Sequence, residues 1–321
     1  MSRRHALAER LQLYDELREI MKAMRNIAVM EIHRLQRILE AQDITREAIE
    51  QAATAFFAGN PHLLPRRTTG AGLLVAIGSE RGFCGDFNTT ILQRLRAELA
   101  AAAQPPAVVL VGARLIQAAQ DIPGVALRLA GPAMQEEVRP ALASLFSAMA
   151  EHAHLQRAFT LQGLGIIHHS PPNHGVANHG VANHGAANHG AASRNAVDRG
   201  VASHDVATHG AAATWYRPAE RMRELRDRVG APPELLLPPA QCLQGILEQY
   251  LSASMHSVFF GSLTAENHVR LAHMETAVHR LDERIALGRQ RQNVLRQEEI
   301  TEEVEEIMLS TEALRRPGGE L

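Results

Sequence analysis

The sequence predicts an α/β plus coiled-coil protein, with long helices at both ends of the chain and a Rossmann-like parallel-sheet domain between them. Three observations carry this reading. The opening and closing stretches are almost free of glycine and proline and repeat apolar residues every three or four positions. Between them lie short, wholly apolar runs alternating with amphipathic segments, the signature of a parallel sheet covered on both faces. Of the 321 residues 45% are hydrophobic but only 4% aromatic, which favours aliphatic, helix-rich packing.

The first helix spans about Ser2 to Phe57. Leu7, Tyr14, Met21, Ala28 and Leu35 form one heptad column, with Leu11, Ile32 and Leu39 in the alternate column. Arg18 and Arg25 interrupt that second column, as a wet seam or a surface turned to a third party would. Asn60 to Gly72, with two prolines and two glycines, ends the helix. Leu73 to Ser79 then reads as a strand, Thr89 to Ala103 as a helix, and Ala107 to Ala113 as a second strand. Val138 to His152 reads as a helix, and FTLQGLGII before His168 as a further strand candidate.

The last helix is expected from about Gln241 to Ala313, with a seam at Leu271, Met274, Val278, Leu281 and Ile285. Such a helix is about 110 Å long, longer than a small domain is wide. After Gly288, which loosens it, the rhythm resumes one residue out of step at Ile300, Val304 and Ile307, among many glutamates. The lower part calls for a helix partner and the upper part for a polar one. The domain boundaries expected from these patterns are 1–59, 60–240 and 241–321.

Residues 173–212 stand apart as eight pentads: NHGVA, NHGVA, NHGAA, NHGAA, SRNAV, DRGVA, SHDVA and THGAA. A period of five fits neither helix nor strand, and small residues bury too little to offset ordering costs of about 1–2 kcal/mol per residue. A surface loop is expected, joining the strand near His168 to a helix at Ala219 to Val229. His174, His179, His184, His189, His204 and His209 could chelate a metal adventitiously, but tandem duplication explains their spacing without a selected site.

Composition excludes several classes. A net charge of −2 provides no basic field for nucleic acid. No run reaches the ~18 apolar residues of a membrane span, and neither a signal nor a transit peptide is expected. Cys84 and Cys242 are too far apart in sequence to form a metal or redox motif. Gly78 to Gly85 invites a phosphate-cradle reading, but it has neither GxGxxG spacing nor a Lys-Ser/Thr pair, which favours a tight strand-to-helix turn. His5, His33, His62 and His256 are scattered and read as surface residues. A nucleotide-dependent enzyme would need a nucleophile, a base and a phosphate cradle at one strand edge, and these cannot be assembled. A coiled-coil adaptor without motor function is the other alternative.

Three stretches, in order, resemble the gamma subunit of F-type ATP synthases. Ile20-Met21-Lys22-Ala23-Met24-Arg25-Asn26-Ile27-Ala28 is similar to the family's I-T-K-A-M-x-M-V-A. Ser79-Glu80-Arg81-Gly82-Phe83-Cys84-Gly85-Asp86-Phe87-Asn88 is close to S-D-R-G-L-C-G-G-L-N. Ser262, Glu266, Arg270 and Met274, followed by Asn293 to Gln297 and Ile300 to Glu303, resemble the last helix with its N-x-x-R-Q-x-x-I-T-x-E. The resemblance implies that the terminal helices pair antiparallel as a rotor shaft inside a ring of three alpha and three beta subunits. The α/β domain and the coil's foot would then sit with the epsilon subunit on the membrane c-ring. It implies that Arg296, Gln297, Thr301 and Glu303 reach loops of the alpha and beta subunits, and that Met24 and Arg270 lie where the two helices meet a beta-subunit loop. It implies no catalytic residue, cofactor or metal in this chain. The location implied is peripheral, on the cytoplasmic side of the inner membrane. Phe83 and Asp86 in place of Leu and Gly, Gly288, the acidic upper helix and the tail Arg315 to Leu321 resemble the divergence of the alternative N-ATPases. In photosynthetic relatives an insertion in the α/β domain restrains ATP hydrolysis. The pentad segment has no cysteine, so the thiol switch of the chloroplast form is excluded for it.

Overall fold

The computed structural model describes residues 3–63, 72–102, 104–156, 164–170, 211–216, 224–225 and 232–315. In chain order the elements are α1 (Arg3–Gly59), β1 (Leu73–Ile77), α2 (Phe87–Ala101), β2 (Ala107–Val111), α3 (Ala113–Ala118), β3 (Val125–Leu129), α4 (Val138–Glu151), β4 (Leu164–His169), β5 (Ala211–Tyr216) and α5 (Pro239–Arg315). Single 3-10 turns occupy Pro61–Leu63 and Gln135–Glu137. The chain divides into two compact units, residues 28–270 and residues 1–27 with 271–321.

In the larger unit the strands are ordered β3-β2-β1-β4-β5. The first four run parallel, and β5 adds antiparallel to β4. The apolar strand β1 and strand β4, which is apolar up to its closing His168 and His169, are buried along their whole length, as central strands covered on both faces must be. Alternate residues divide between the two faces. Leu73, Val75 and Ile77 join Leu142 and Leu145 of α4, Leu35 and Leu39 of α1, and Met255, Phe259 and Leu263 of α5. Leu74 and Ala76 face Ile91, Leu92 and Leu95 of α2 and Leu115 of α3. A further cluster ties Phe56 and Phe57 near the end of α1 to Tyr250 of α5.

The parallel sheet and the long helices agree with the sequence reading, and two strands and one helix are additions to it. Edge strand β3 is only partly buried and lacks the continuous apolar run that marked β1 and β2. Strand β5 starts inside the last pentad, at Ala211, so that repeat is not wholly loop. The rest of the pentad segment lies outside the described residues. The expected helix at Ala219 to Val229 does too, except Glu224 and Leu225, which are helical.

The smaller unit is a two-helix coil. Its seam follows Leu11 on α1 and Met274, Val278 and Ile285 on α5, all buried, with Leu7, Tyr14, Met21, Leu271 and Leu281 half-buried beside them. Cross-helix pairs fix an antiparallel register: Arg4 to Glu299 at 3.0 Å, Asp15 to Arg289 at 3.2 Å and Arg18 to Asp282 at 3.3 Å. Arg18 interrupts the apolar column because it bridges to Asp282 and to Asp15 of its own helix.

Two expectations are corrected here. Gly288 does not loosen α5, which is continuous through it. A Cβ at this position would come 2.5 Å from Leu11 Cδ2, so glycine makes room for the leucine knob. Nor does the seam shift to Ile300. It keeps its heptad spacing through half-buried Gln292, Leu295 and Glu299, and Ile300 faces outward.

The β4–β5 pairing sets His169 opposite Ala211, so the segment between them leaves and re-enters the sheet at neighbouring backbone positions. Replacing residues 170–210 by a two-residue Asn-Gly turn should therefore give a tight hairpin. The melting temperature should move by no more than about 3 °C, the shift ~1 kcal/mol produces in a domain of this size. Loss of the cooperative transition would show that the segment is needed for folding.

Candidate functional site

Ligands of doubly wound sheets bind outside the carboxyl ends of the strands, so the turns after β1, β2 and β3 are the first place to look. Here that edge is filled from within. The Glu80 carboxylate accepts hydrogen bonds from the backbone N–H of Ala113 and of Gly131, each at 2.8 Å, and so bridges the turns after β2 and β3. The same Oε2 accepts both hydrogen bonds, where an anionic ligand would accept them. Asn88 completes the closure, accepting from Ser79 N–H at 2.9 Å and donating to Ser79 Oγ at 2.8 Å. Gly112 follows β2 with φ of 110°, and a Cβ there would meet Gly78 O at 2.6 Å. Gly78 and Gly112 thus meet at a close backbone junction. Among the described residues no cluster of His, Cys, Asp or Glu has metal-binding geometry.

The other candidate is the exposed end of α5. Arg296, Gln297, Thr301 and Glu303 all face solvent, and Thr301 Oγ1 donates to Gln297 O at 2.9 Å. Between them runs an apolar ridge that sequence reading undervalued: Ile300 is 51% exposed, Val304 49% and Ile307 63%. At about 100° per residue these three lie within ~60° of one another, flanked by Arg296 and Glu303 on one side and by Gln297 and Thr301 on the other. The upper helix is therefore not simply polar. Its second apolar rhythm was visible in the sequence; that it faces outward was not.

Met24 is half-buried on α1, within a stripe that also holds the exposed Leu13, Ile20 and Ile27. Arg270 is 6% exposed, and its guanidinium is engaged inside the larger unit by Glu266, by Asn267 Oδ1 at 2.7 Å and by Cys84 Sγ at 3.4 Å. The structure thus leaves four of the six sequence-selected residues open on one helix end, Met24 half-buried and Arg270 internal.

A family model described as ATP synthase matches residues 4–314. Curated relatives similar to the chain include ATP synthase gamma chains. That of Fuscovulum blasticum is 35% identical over 33% of this chain and 40% of its own length. That of Jannaschia sp. is 34% identical over 28% and 33%. The chain spans about a third of the length of these relatives at that similarity. The fold is shared more widely. A chain of the Euglena gracilis mitochondrial ATP synthase, in a structure of its OSCP/F1/c-ring assembly, superposes with a TM-score of 0.61 at 14% identity, covering 99% of this chain and 97% of its own. A central stalk/c-ring structure from Tetrahymena thermophila gives 0.52 at 15%, over 80% and 99%. What the chain shares with these structures is the fold, a parallel α/β domain with two long terminal helices. The chain belongs to the ATP synthase family, among its gamma chains.

Glu80 supplies one prediction. Glu80→Ala strands two backbone donors and should lower unfolding free energy by about 2 kcal/mol, with Glu80→Gln, which keeps one acceptor oxygen, losing less. Denaturant titration of the full chain checks this, and equal stability of Glu80→Ala and wild type would mean the bridge contributes nothing.

Proposed function

We propose that this chain is the central-stalk, rotor-shaft subunit of an F-type ATP synthase. It couples ion flow through a membrane ring to ATP synthesis or hydrolysis by a ring of alpha and beta subunits. The observation that carries the reading is the end of α5, where an apolar ridge flanked by Arg296, Gln297, Thr301 and Glu303 stands exposed on a helix packed firmly elsewhere. Apolar side chains in a row on a bare helix call for a covering partner. The partners are the alpha and beta subunits at this end, and the epsilon subunit and c-ring at the α/β unit. The subunit itself is non-catalytic, a reading supported by the self-filled strand edge at Glu80.

It is attached peripherally, on the cytoplasmic side of the inner membrane. Among the described residues no helix is long and apolar enough to cross a membrane. Within the ring one helix meets three identical partners with different faces, and such differential contact is what can bias identical sites into different states. Arg296 offers a planar fork for a carboxylate, and Gln297 a neutral donor and acceptor beside it.

Alanine at both Arg296 and Gln297 should leave the isolated chain's melting curve unchanged, since both side chains are exposed. Assembly with alpha and beta subunits should weaken by about 1.5–3 kcal/mol for each charged hydrogen bond lost, and steady ATP turnover should fall. Wild type should co-purify with alpha and beta subunits at one to three to three. A different stoichiometry, or full assembly and turnover in the double variant, would count against the proposed contact.

A further inference from the structure

Ionisable side chains rarely lie fully out of water, and when they do they are paired. Glu266 and Arg270, on successive turns of α5, are 3% and 6% exposed. Arg270 is held by Glu266 Oε1, Asn267 Oδ1 and Cys84 Sγ, and its Nε is buried without a hydrogen-bond partner. Cys84 comes from the turn that follows β1. Its thiol donates toward Glu266 Oε1 at 3.7 Å and toward the carbonyls of Arg81 and Gly82 at 3.4 and 3.3 Å. Beside it Cys84 and Phe87 pack on Ala265, with Val269 against them. In the same turn Phe83 takes φ of 63°, a left-handed conformation uncommon for a bulky residue. A strained turn is thus fastened to the long helix through one buried carboxylate and its neighbours.

We infer that Glu266 is a proton-operated latch between the 79–85 turn and α5, taking up or releasing one proton and thereby changing how firmly the turn is held. In the step a solvent proton adds to the Glu266 carboxylate; Arg270 keeps its charge throughout. The charged and titratable groups facing Glu266 are Arg270 on its own helix and Arg81 and Cys84 on the turn. Burial pushes the Glu266 carboxyl up to about 7, with Arg270 opposing, and burial pushes the Cys84 thiol up to about 11, so the thiol stays protonated. A native carboxyl with a raised pKa binds its proton more tightly than the opened one, whose value is ordinary. Opening therefore becomes easier as pH rises from about 4.5 to about 7 and levels off above that. The inference goes beyond the rotor reading and does not depend on it.

The test is hydrogen exchange of the full chain between pH 5 and 8.5, corrected for intrinsic rates and read on peptides covering 79–88 and 262–272. In wild type both segments should lose protection together as pH rises toward 7, by at least about tenfold, while β2 stays unchanged. Glu266→Asp should keep the response and Glu266→Gln should abolish it. Because Glu266→Gln leaves Arg270 unpaired and could unfold the unit, Glu266→Gln with Arg270→Met serves as the second variant and should be folded and pH-insensitive. A pH response in that double variant equal to wild type, or none in wild type, overturns the latch.

Discussion

Residues Phe259 to Asn267 of α5 are buried on every side of the helix, and much else in the larger unit depends on that burial. A helix buried all round must satisfy its polar side chains internally. Thr264 Oγ1 does so on Phe260 O at 2.7 Å and Asn267 Nδ2 on Leu263 O at 2.9 Å, and Glu266 on Arg270. Phe259 and Leu263 meanwhile close one face of the sheet. Turning this part of α5 against the sheet would break the main core and strand those polar groups together. Sheet and helix segment therefore behave as one rigid piece, which is what a domain must be if it is to transmit force along a helix.

The coil unit rests on less. Its apolar seam is thinned at Gly288, Gln292 and Glu299, and exposed ion pairs such as Arg4–Glu299 contribute little individually. Their value is in register, since they meet only when the helices run antiparallel in one alignment. With Arg4 opposite Glu299, the described part of α1 offers nothing opposite the turns beyond about residue 303. Those turns of α5 form a single helix with Ile307, Met308 and Leu309 each more than 60% exposed. Isolated helices of ~12 residues are marginal in water, so this end gains its stability from whatever covers it.

The long helices were legible because a heptad repeat is a direct record of a buried seam, and β1 and β2 because wholly apolar runs need cover on both faces. What stayed hidden was hidden for identifiable reasons. Strand β3 is an edge with mixed exposure, and β5 begins in repeat residues Ala211 and Ala212, whose small side chains carry no strand signal. Gly288 reads as a flaw until Leu11 is placed beside it. Glu266 and Arg270 form an i,i+4 pair, which on sequence grounds is the commonest decoration of a solvated helix face. Only the packed structure shows that this one is dry. At the candidate site, Arg296, Gln297, Thr301 and Glu303 were legible as a motif and Ile300, Val304 and Ile307 as an apolar rhythm, but that this rhythm faces outward was not.

The upper end of α5 is strongly two-faced. Taking about 100° per residue, Ile300, Val304 and Ile307 define one side, and Glu298, Glu302 and Glu305 point to the opposite one. In the proposed role, three identical partners around this helix cannot all meet the ridge; one does, while another meets carboxylates. Shifting a two-state site from 1:99 to 99:1 takes about 5.5 kcal/mol of differential contact. Fully burying an aliphatic side chain gains about 1.5–3 kcal/mol, and these three are already about half covered, so the ridge alone supplies on the order of 2–4 kcal/mol. The remainder has to come from polar contacts that change with the helix's angle. In that role the ridge would select which partner is engaged, and Arg296 and Gln297 at its borders, with the acidic face behind, would supply the polar part of the difference.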